Sequence, residues 1–225
     1  MICLQGGGEF SAACRAMDAE LARRAAGRVV VTALAGEPGR DYATATANGV
    51  RHFRAVGAGD VVGAPDARED AEAALDAVAS ARLLVLPGGS PTRLLTALQT
   101  TGMAEAIRAL LDDGGLVMGA SAGAMVICPW TVLPDRRDGG ALAVAAGLGL
   151  VGDLLVVPHW SGGSSRGDWL RSVEAAVPET TTVLGIPEES GVLVEGDVMT
   201  AVGVSPTHLL HEGRDLAPGD SWRLP

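Results

Sequence analysis

Residues 116–127, "LVMGASAGAMVI", decide how the rest of the chain is read. Leu116, Val117, Met118 and Gly119 make a short, wholly apolar run suited to a buried strand, and Ala124 to Ile127 continue as a helix-like run. Between them, Gly119, Ala120, Ser121, Ala122 and Gly123 fit G-x-S-x-G in the strand, sharp turn, helix setting that gives the pattern meaning. Small flanking residues let the chain turn steeply and leave the hydroxyl exposed at the helix start. Ser121 is therefore a candidate nucleophile. A hydroxyl alone is inert, because it needs a base for its proton, an acid to orient that base and donors for the oxyanion. Small residues also collect at such turns for packing alone, so the rest of the chain has to decide.

Working outward, short apolar and β-branched runs recur at 1–4, 28–34, 82–86, 116–118, 154–157, 182–185 and 191–194. Helical stretches separate many of them, at 9–26, 66–79, 92–98, 103–111 and 169–176. Strands alternating with helices imply an α/β fold with a mainly parallel central sheet and helices on both faces. The stretch "GVLVEGDVMTAVGV" alternates apolar and polar residues and turns at Glu195-Gly196-Asp197, which predicts a C-terminal antiparallel hairpin. No internal repeat or long linker interrupts residues 1–225, and the Gly/Pro-rich stretches near 36–41, 57–65 and 138–140 are of loop length. A single domain is expected.

The composition agrees with that frame. Hydrophobic residues make up 48% of 225, with 31 glycines and few aromatics, as befits an aliphatic core under Ala-rich helices. A formal net charge of −10 supplies no electrostatic reason to bind nucleic acid or an anionic membrane. Cys3, Cys14 and Cys128 are odd in number and widely spaced, without the close pairs of a zinc site or redox motif. They read as reduced core thiols, and neither a metal nor another cofactor is expected. The opening "MICLQGGGEF" has no signal-like pattern, and no apolar run reaches membrane-spanning length. A cytoplasmic protein acting on a small molecule is expected, with a homodimer as the candidate assembly.

In open α/β sheets, ligands collect beyond the carboxyl ends of the strands. Four segments end there: "PGGSPTRLL" after 83–86, the Ser121 turn, "PHWSGG" after 154–157 and "IPEES" after 182–185. His159 follows its strand directly through Pro158 and is the best candidate base; His208 and His211 in the terminal region and His52 in an early loop lack that placement. Gly88 and Gly89 permit close approach of backbone N–H groups, so with the Ala122 N–H they are candidate oxyanion donors. The acid stays open. Asp135 and Asp138 lie in "PDRRDGG" between Ser121 and His159, the chain order of other elbow hydrolases, whereas Glu188 and Glu189 stand at another strand end and could orient His159 or bind a substrate ammonium.

Taken together, "GASAGAMV", "LPGGSPTRLL", "VVPHW", "GIPEESGVLVEG" and "LQGGGEF" resemble the corresponding segments of the peptidase S51 family, which includes aspartyl dipeptidases and cyanophycinases. The resemblance runs from residue 2 to about residue 210 and rests on the order of its pieces. It implies a flavodoxin-like fold of the class I glutamine amidotransferase type, a serine nucleophile and no metal. Ser121 matches the nucleophile, His159 the base, Gly88 and Gly89 the oxyanion turn, and Glu188 the acidic residue after the Gly-Ile pair. Asp135 falls close to the place of the dipeptidase triad acid and is the expected third member, with Glu188 expected to bind substrate or support the site from behind.

This chain departs from the family at Ser90-Pro91-Thr92, where a third Gly and an Asn are frequent, and in "SGGSSRGDWL", which keeps only part of an Arg-rich helix start. Arg166 in that segment could pair with an acidic substrate group. The function expected is a serine peptidase of short peptides, aspartyl-dipeptidase-like. The alternatives are cyanophycinase-like cleavage of β-linked Asp-Arg units and a non-catalytic binding module. An amidotransferase is disfavoured because the elbow carries Ser where a thiolate is normal, and Cys128 lies two helical turns further on.

Overall fold

The computed structural model describes residues 1–135, 141–162 and 167–224. Strands β1 (Ile2–Gln5), β2 (Val29–Val31), β3 (Val61–Gly63), β4 (Leu83–Leu86) and β5 (Leu116–Ala120) run parallel in the order β1-β5-β4-β2-β3. The hairpin of β10 (Ser190–Glu195) and β11 (Val198–Gly203) extends that sheet by antiparallel pairing of β10 with β1, and β14 (Ser221–Arg223) closes the edge. The turn falls at Gly196-Asp197, as the alternating pattern predicts.

Side chains of these strands alternate between two cores, as the two-residue period of a strand demands. Leu83 and Val85 join Cys3, Val31 and Met118 under α1 (Arg15–Ala25) and α2 (Arg40–Ala55), which contribute Met17, Leu21 and Phe53. Leu84 and Leu86 face the other way, toward Leu94 and Leu98 of α4 (Pro91–Thr100) and Met103 and Ile107 of α5 (Met103–Asp112), with α3 (Ala71–Ala79) and α6 (Ala122–Ile127) on the same side. Helices thus cover both faces, which is why the strands read as near-continuous apolar runs.

The remaining strands form a second sheet in addition to the mainly parallel central one that the sequence predicts. Strands β6 (Trp130–Asp135), β7 (Ala141–Ala146), β8 (Leu154–Pro158), β9 (Thr182–Ile186), β12 (Thr207–Leu209) and β13 (Arg214–Leu216) lie in the order β13-β12-β9-β8-β6-β7. Leu154 and Val156 of β8 point into the core shared with α4, α5 and α6, while Leu155 and Val157 pack with Val173 of α7 (Gly167–Glu174). Short α6 contacts both β5 and β8, and so carries the end of the first sheet to the end of the second.

Candidate active site

The elbow is built by close approach. A Cβ on Gly119 would run into the backbone of Gly123 and the Ile127 side chain, and one on Gly123 would strike the Leu86 carbonyl. Two glycines therefore let α6 start directly over β5 and β4. Ser121, at the junction, has φ +50° and ψ −110°, a region that costs a non-glycine residue on the order of 1–3 kcal/mol. The surrounding hydrogen bonds impose it: the Ser121 N–H donates to the Gln5 carbonyl at 2.9 Å, and its own carbonyl accepts from the Met125 N–H at 3.0 Å.

Three consecutive carbonyls at the end of β1 organise the site. Gln5 holds Ser121, Gly6 accepts from the His159 N–H at 2.9 Å, and Gly7 accepts from the Glu189 N–H at 2.8 Å. A side chain on Gly7 would collide with the His159 ring, so glycine there makes room for the imidazole. His159 and Glu189 both adopt positive φ, at +52° and +59°, turning the chain sharply as β8 and β9 end. Those strands are parallel neighbours with Pro158 opposite Ile186, so the loops carrying His159 and Glu188 lie side by side.

Ser121 Oγ lies 2.8 Å from His159 Nε2, and His159 Nδ1 lies 3.0 Å from Glu188 Oε1. An ionised carboxylate only accepts, so Nδ1 carries the proton and Nε2 of the neutral ring is left to accept from the Ser121 hydroxyl. The His159 and Glu188 side chains are 46% and 62% exposed, leaving the pair open to solvent.

The carboxylate at the imidazole is thus that of Glu188, where the resemblance had pointed to Asp135. Asp135 ends β6, paired in register with Ala141, and its side chain lies outside the described residues, as do Asp138 and Arg166 altogether. Chain order made Asp135 attractive, but the lateral pairing of β8 with β9 delivers Glu188. His52, expected in a loop, belongs to α2 and meets Asp18 at 2.7 Å in the core, and His208 meets Asp215 at 2.6 Å; neither joins Ser121.

The turn after β4 reaches the nucleophile. A Cβ on Gly88 would lie 3.0 Å from Ser121 Cβ and 3.5 Å from Oγ, so the bare backbone abuts the hydroxyl. Ser90 caps α4 by accepting from the Arg93 N–H at 3.2 Å, with Pro91 at the first helical position, and this anchors the turn. The Gly88 N–H donates to Glu9 Oε1 at 2.7 Å. Glu9 is a site residue that the sequence reading missed; its contact joins positions 79 residues apart and leaves no local signal. Gly89 turns away beside the Ala35 carbonyl with φ +137°, and Ala122 is the first residue of α6, whose N–H has no partner within the helix.

Cys3, Cys14 and Cys128 are buried and unbridged, and burial pushes all three thiols above the ordinary cysteine value. Among the described residues no His, Cys, Asp or Glu cluster is arranged to hold a metal ion, and no helix is long and apolar enough to cross a membrane.

Comparison with known proteins places this geometry in context. The chain is 28% identical over 149 residues to a peptidase E of Citrobacter koseri and 25% identical over 156 residues to one of Escherichia coli. Each alignment takes in 63% of this chain, which covers 64% of the length of either relative. The fold is similar to that of a crystallised peptidase from an acI-B1 actinobacterium, with a TM-score of 0.81 at 22% identity over 99% of this chain and 96% of that one. The model of peptidase family S51 matches residues 4–202, a span that runs from β1 into the β10–β11 hairpin and includes Ser121, His159 and Glu188, and the chain belongs to that family.

Proposed function

We propose that the protein is a serine peptidase of short peptides in which Ser121, His159 and Glu188 act as nucleophile, base and orienting acid. The observation that carries the reading is the continuous contact from Ser121 Oγ through both ring nitrogens of His159 to Glu188, at 2.8 and 3.0 Å. Family membership and the similarity to peptidases E support it. Ser121 Oγ attacks the scissile carbonyl carbon as its proton passes to Nε2. Glu188 stabilises the imidazolium, and the Ala122 and Gly88 N–H groups, the latter once released by Glu9, receive the developing oxyanion. Nε2 then returns the proton to the leaving amine, and water activated by the same imidazole hydrolyses the acyl-enzyme.

An exopeptidase acting on dipeptides is the form of this activity that the family resemblance of the sequence implies. A hydrolysis screen over dipeptides, including β-aspartyl-arginine, with wild type and Ser121→Ala tests it. Release of free amino acids by wild type and its loss in the variant is the expected result; equal hydrolysis by both would refute the assignment. The binding-module alternative predicts no hydrolysis by either.

A further inference from the structure

A cleft of about 560 Å³ opens beside the elbow, within the size range of small-ligand pockets. Its walls are apolar. Met125 comes from α6 one turn beyond Ser121, Val157 and Pro158 from the end of β8 just before His159, Thr92 from the start of α4 after the Gly88-Gly89 turn, and Val132 and Leu142 from the β6–β7 hairpin. The elements that carry Ser121, His159 and the Gly88-Gly89 turn therefore each contribute a wall, and none of the described residues lining the cleft is charged. The Ser90 hydroxyl at its margin is already engaged in capping α4.

We propose that this cleft is the subsite for an apolar side chain, such as Leu or Phe, on the residue next to the scissile bond. The proposal rests on the peptidase reading above and narrows its substrate class away from acidic side chains. A substrate carboxylate placed here would give up its hydration and meet no described cation, whereas an aliphatic or aromatic group would exchange water for Met125, Val132, Val157 and Leu142. Met125 and Pro158 in the walls are close chain neighbours of Ser121 and His159, so a side chain seated in the cleft would belong to a residue near the nucleophile.

The test compares kcat/KM for two dipeptide series, Xaa-Ala and Ala-Xaa, with Xaa as Ala, Leu, Phe, Asp and Lys. It uses wild type, Leu142→Asp and Thr92→Asp, with Ser121 labelling by a fluorophosphonate measured in parallel. Leu142 is 53% exposed and Thr92 lies in the first turn of α4, where an acidic residue suits the helix, so both variants can fold. In wild type, Leu and Phe should exceed Asp by roughly 10- to 100-fold in one series. In each variant the loss for Leu and Phe should exceed the loss for Ala at least several-fold.

An enzyme that is labelled at Ser121 and hydrolyses peptides, yet does not prefer Leu or Phe to Asp in either series, overturns the subsite while leaving the peptidase reading intact. A preference that both variants leave unmoved also overturns it, as does a Leu142→Asp variant that instead halves the sedimenting mass, since the cleft would then be a face between two copies. Absence of both labelling and hydrolysis overturns the two readings together.

Discussion

Glu188 presents its carboxylate to His159 Nδ1 at 3.0 Å across the ends of two parallel strands. A carboxylate there fixes the tautomer that leaves Nε2 free to take the Ser121 proton, and stabilises the imidazolium that follows. Replacement by the isosteric amide in Glu188→Gln removes the charge and can turn an NH2 group toward the ring. The expected loss in kcat is roughly 10² to 10⁴, the upper figure being typical of a buried triad acid and Glu188 being largely solvent-exposed. Asp135→Asn should change kcat less than threefold or so. Steady-state kinetics of the two variants check this, and the reverse pattern would return the acid to β6.

Glu9 occupies the Gly88 N–H that an oxyanion would need. The carboxylate has to withdraw before that amide can serve catalysis, so Glu9→Ala should accelerate phosphonylation of Ser121. A hydrogen bond to a charged group is worth about 1.5 kcal/mol at the lower end, which corresponds to roughly a tenfold faster reaction. Slower labelling in Glu9→Ala would mean that Glu9 supports the turn instead.

Gly7 lies against the His159 imidazole, where any Cβ would overlap the ring, and its φ of +133° is itself unfavourable for other residues. Gly7→Ala should therefore displace the ring and lower kcat by roughly 10²-fold, the usual consequence of moving a reacting group by about 1 Å. Circular dichroism and kcat measured together separate this from unfolding. A variant with native activity would show that the ring has slack that its contacts deny.

Much of this was legible in the sequence because it depends on what directly follows a strand. Ser121 and His159 are one and one residues past β5 and β8, and a strand end is readable from a short apolar run. The third member was not legible in the same way. Glu188 stood among the candidates, but its contact with His159 depends on β8 lying beside β9, a lateral relationship with no trace in chain order. The carbonyl row Gln5, Gly6 and Gly7 was visible only as a glycine-rich turn, since its partners are up to 182 residues away.

Secondary structure escaped notice where the packing residues are not conspicuously apolar. Helix α2 buries Tyr42, Thr46, Gly49, His52 and Phe53, a helical stripe in which only Phe53 is a large hydrophobe without a polar atom. The β6–β7 hairpin combines Pro134, which cannot donate to a ladder, with the alanine-rich "ALAVAA", where Val144 is the one β-branched residue. Strand β6 meets β8 only at Trp130 opposite Leu155, a lateral contact with no trace in chain order.

Asp18 supplies a pH test of the core behind the site. Burial pushes its carboxyl above the ordinary aspartate value, with Glu9 nearby adding to the effect, against the pull of the His52 hydrogen bond and charge. A raised folded-state value means that the folded chain holds this proton more tightly than the unfolded chain. The associated stability is fully present below about pH 4 and is lost as pH rises through the folded value. Asp18→Asn cannot titrate, and its amide oxygen can still accept from His52. Urea unfolding from pH 3 to 7 should show the variant gaining on wild type as pH rises; a variant that loses ground over that range would contradict the direction.

The most direct test of the central claim is mass spectrometry of the protein after reaction with a fluorophosphonate, with peptide mapping of the adduct. One phosphonyl group should appear on Ser121, its rate falling at least a hundredfold or so in His159→Ala, because the base that accepts the hydroxyl proton sits 2.8 Å away. An unlabelled protein, or an adduct on any other residue, would contradict the assignment of Ser121 as nucleophile.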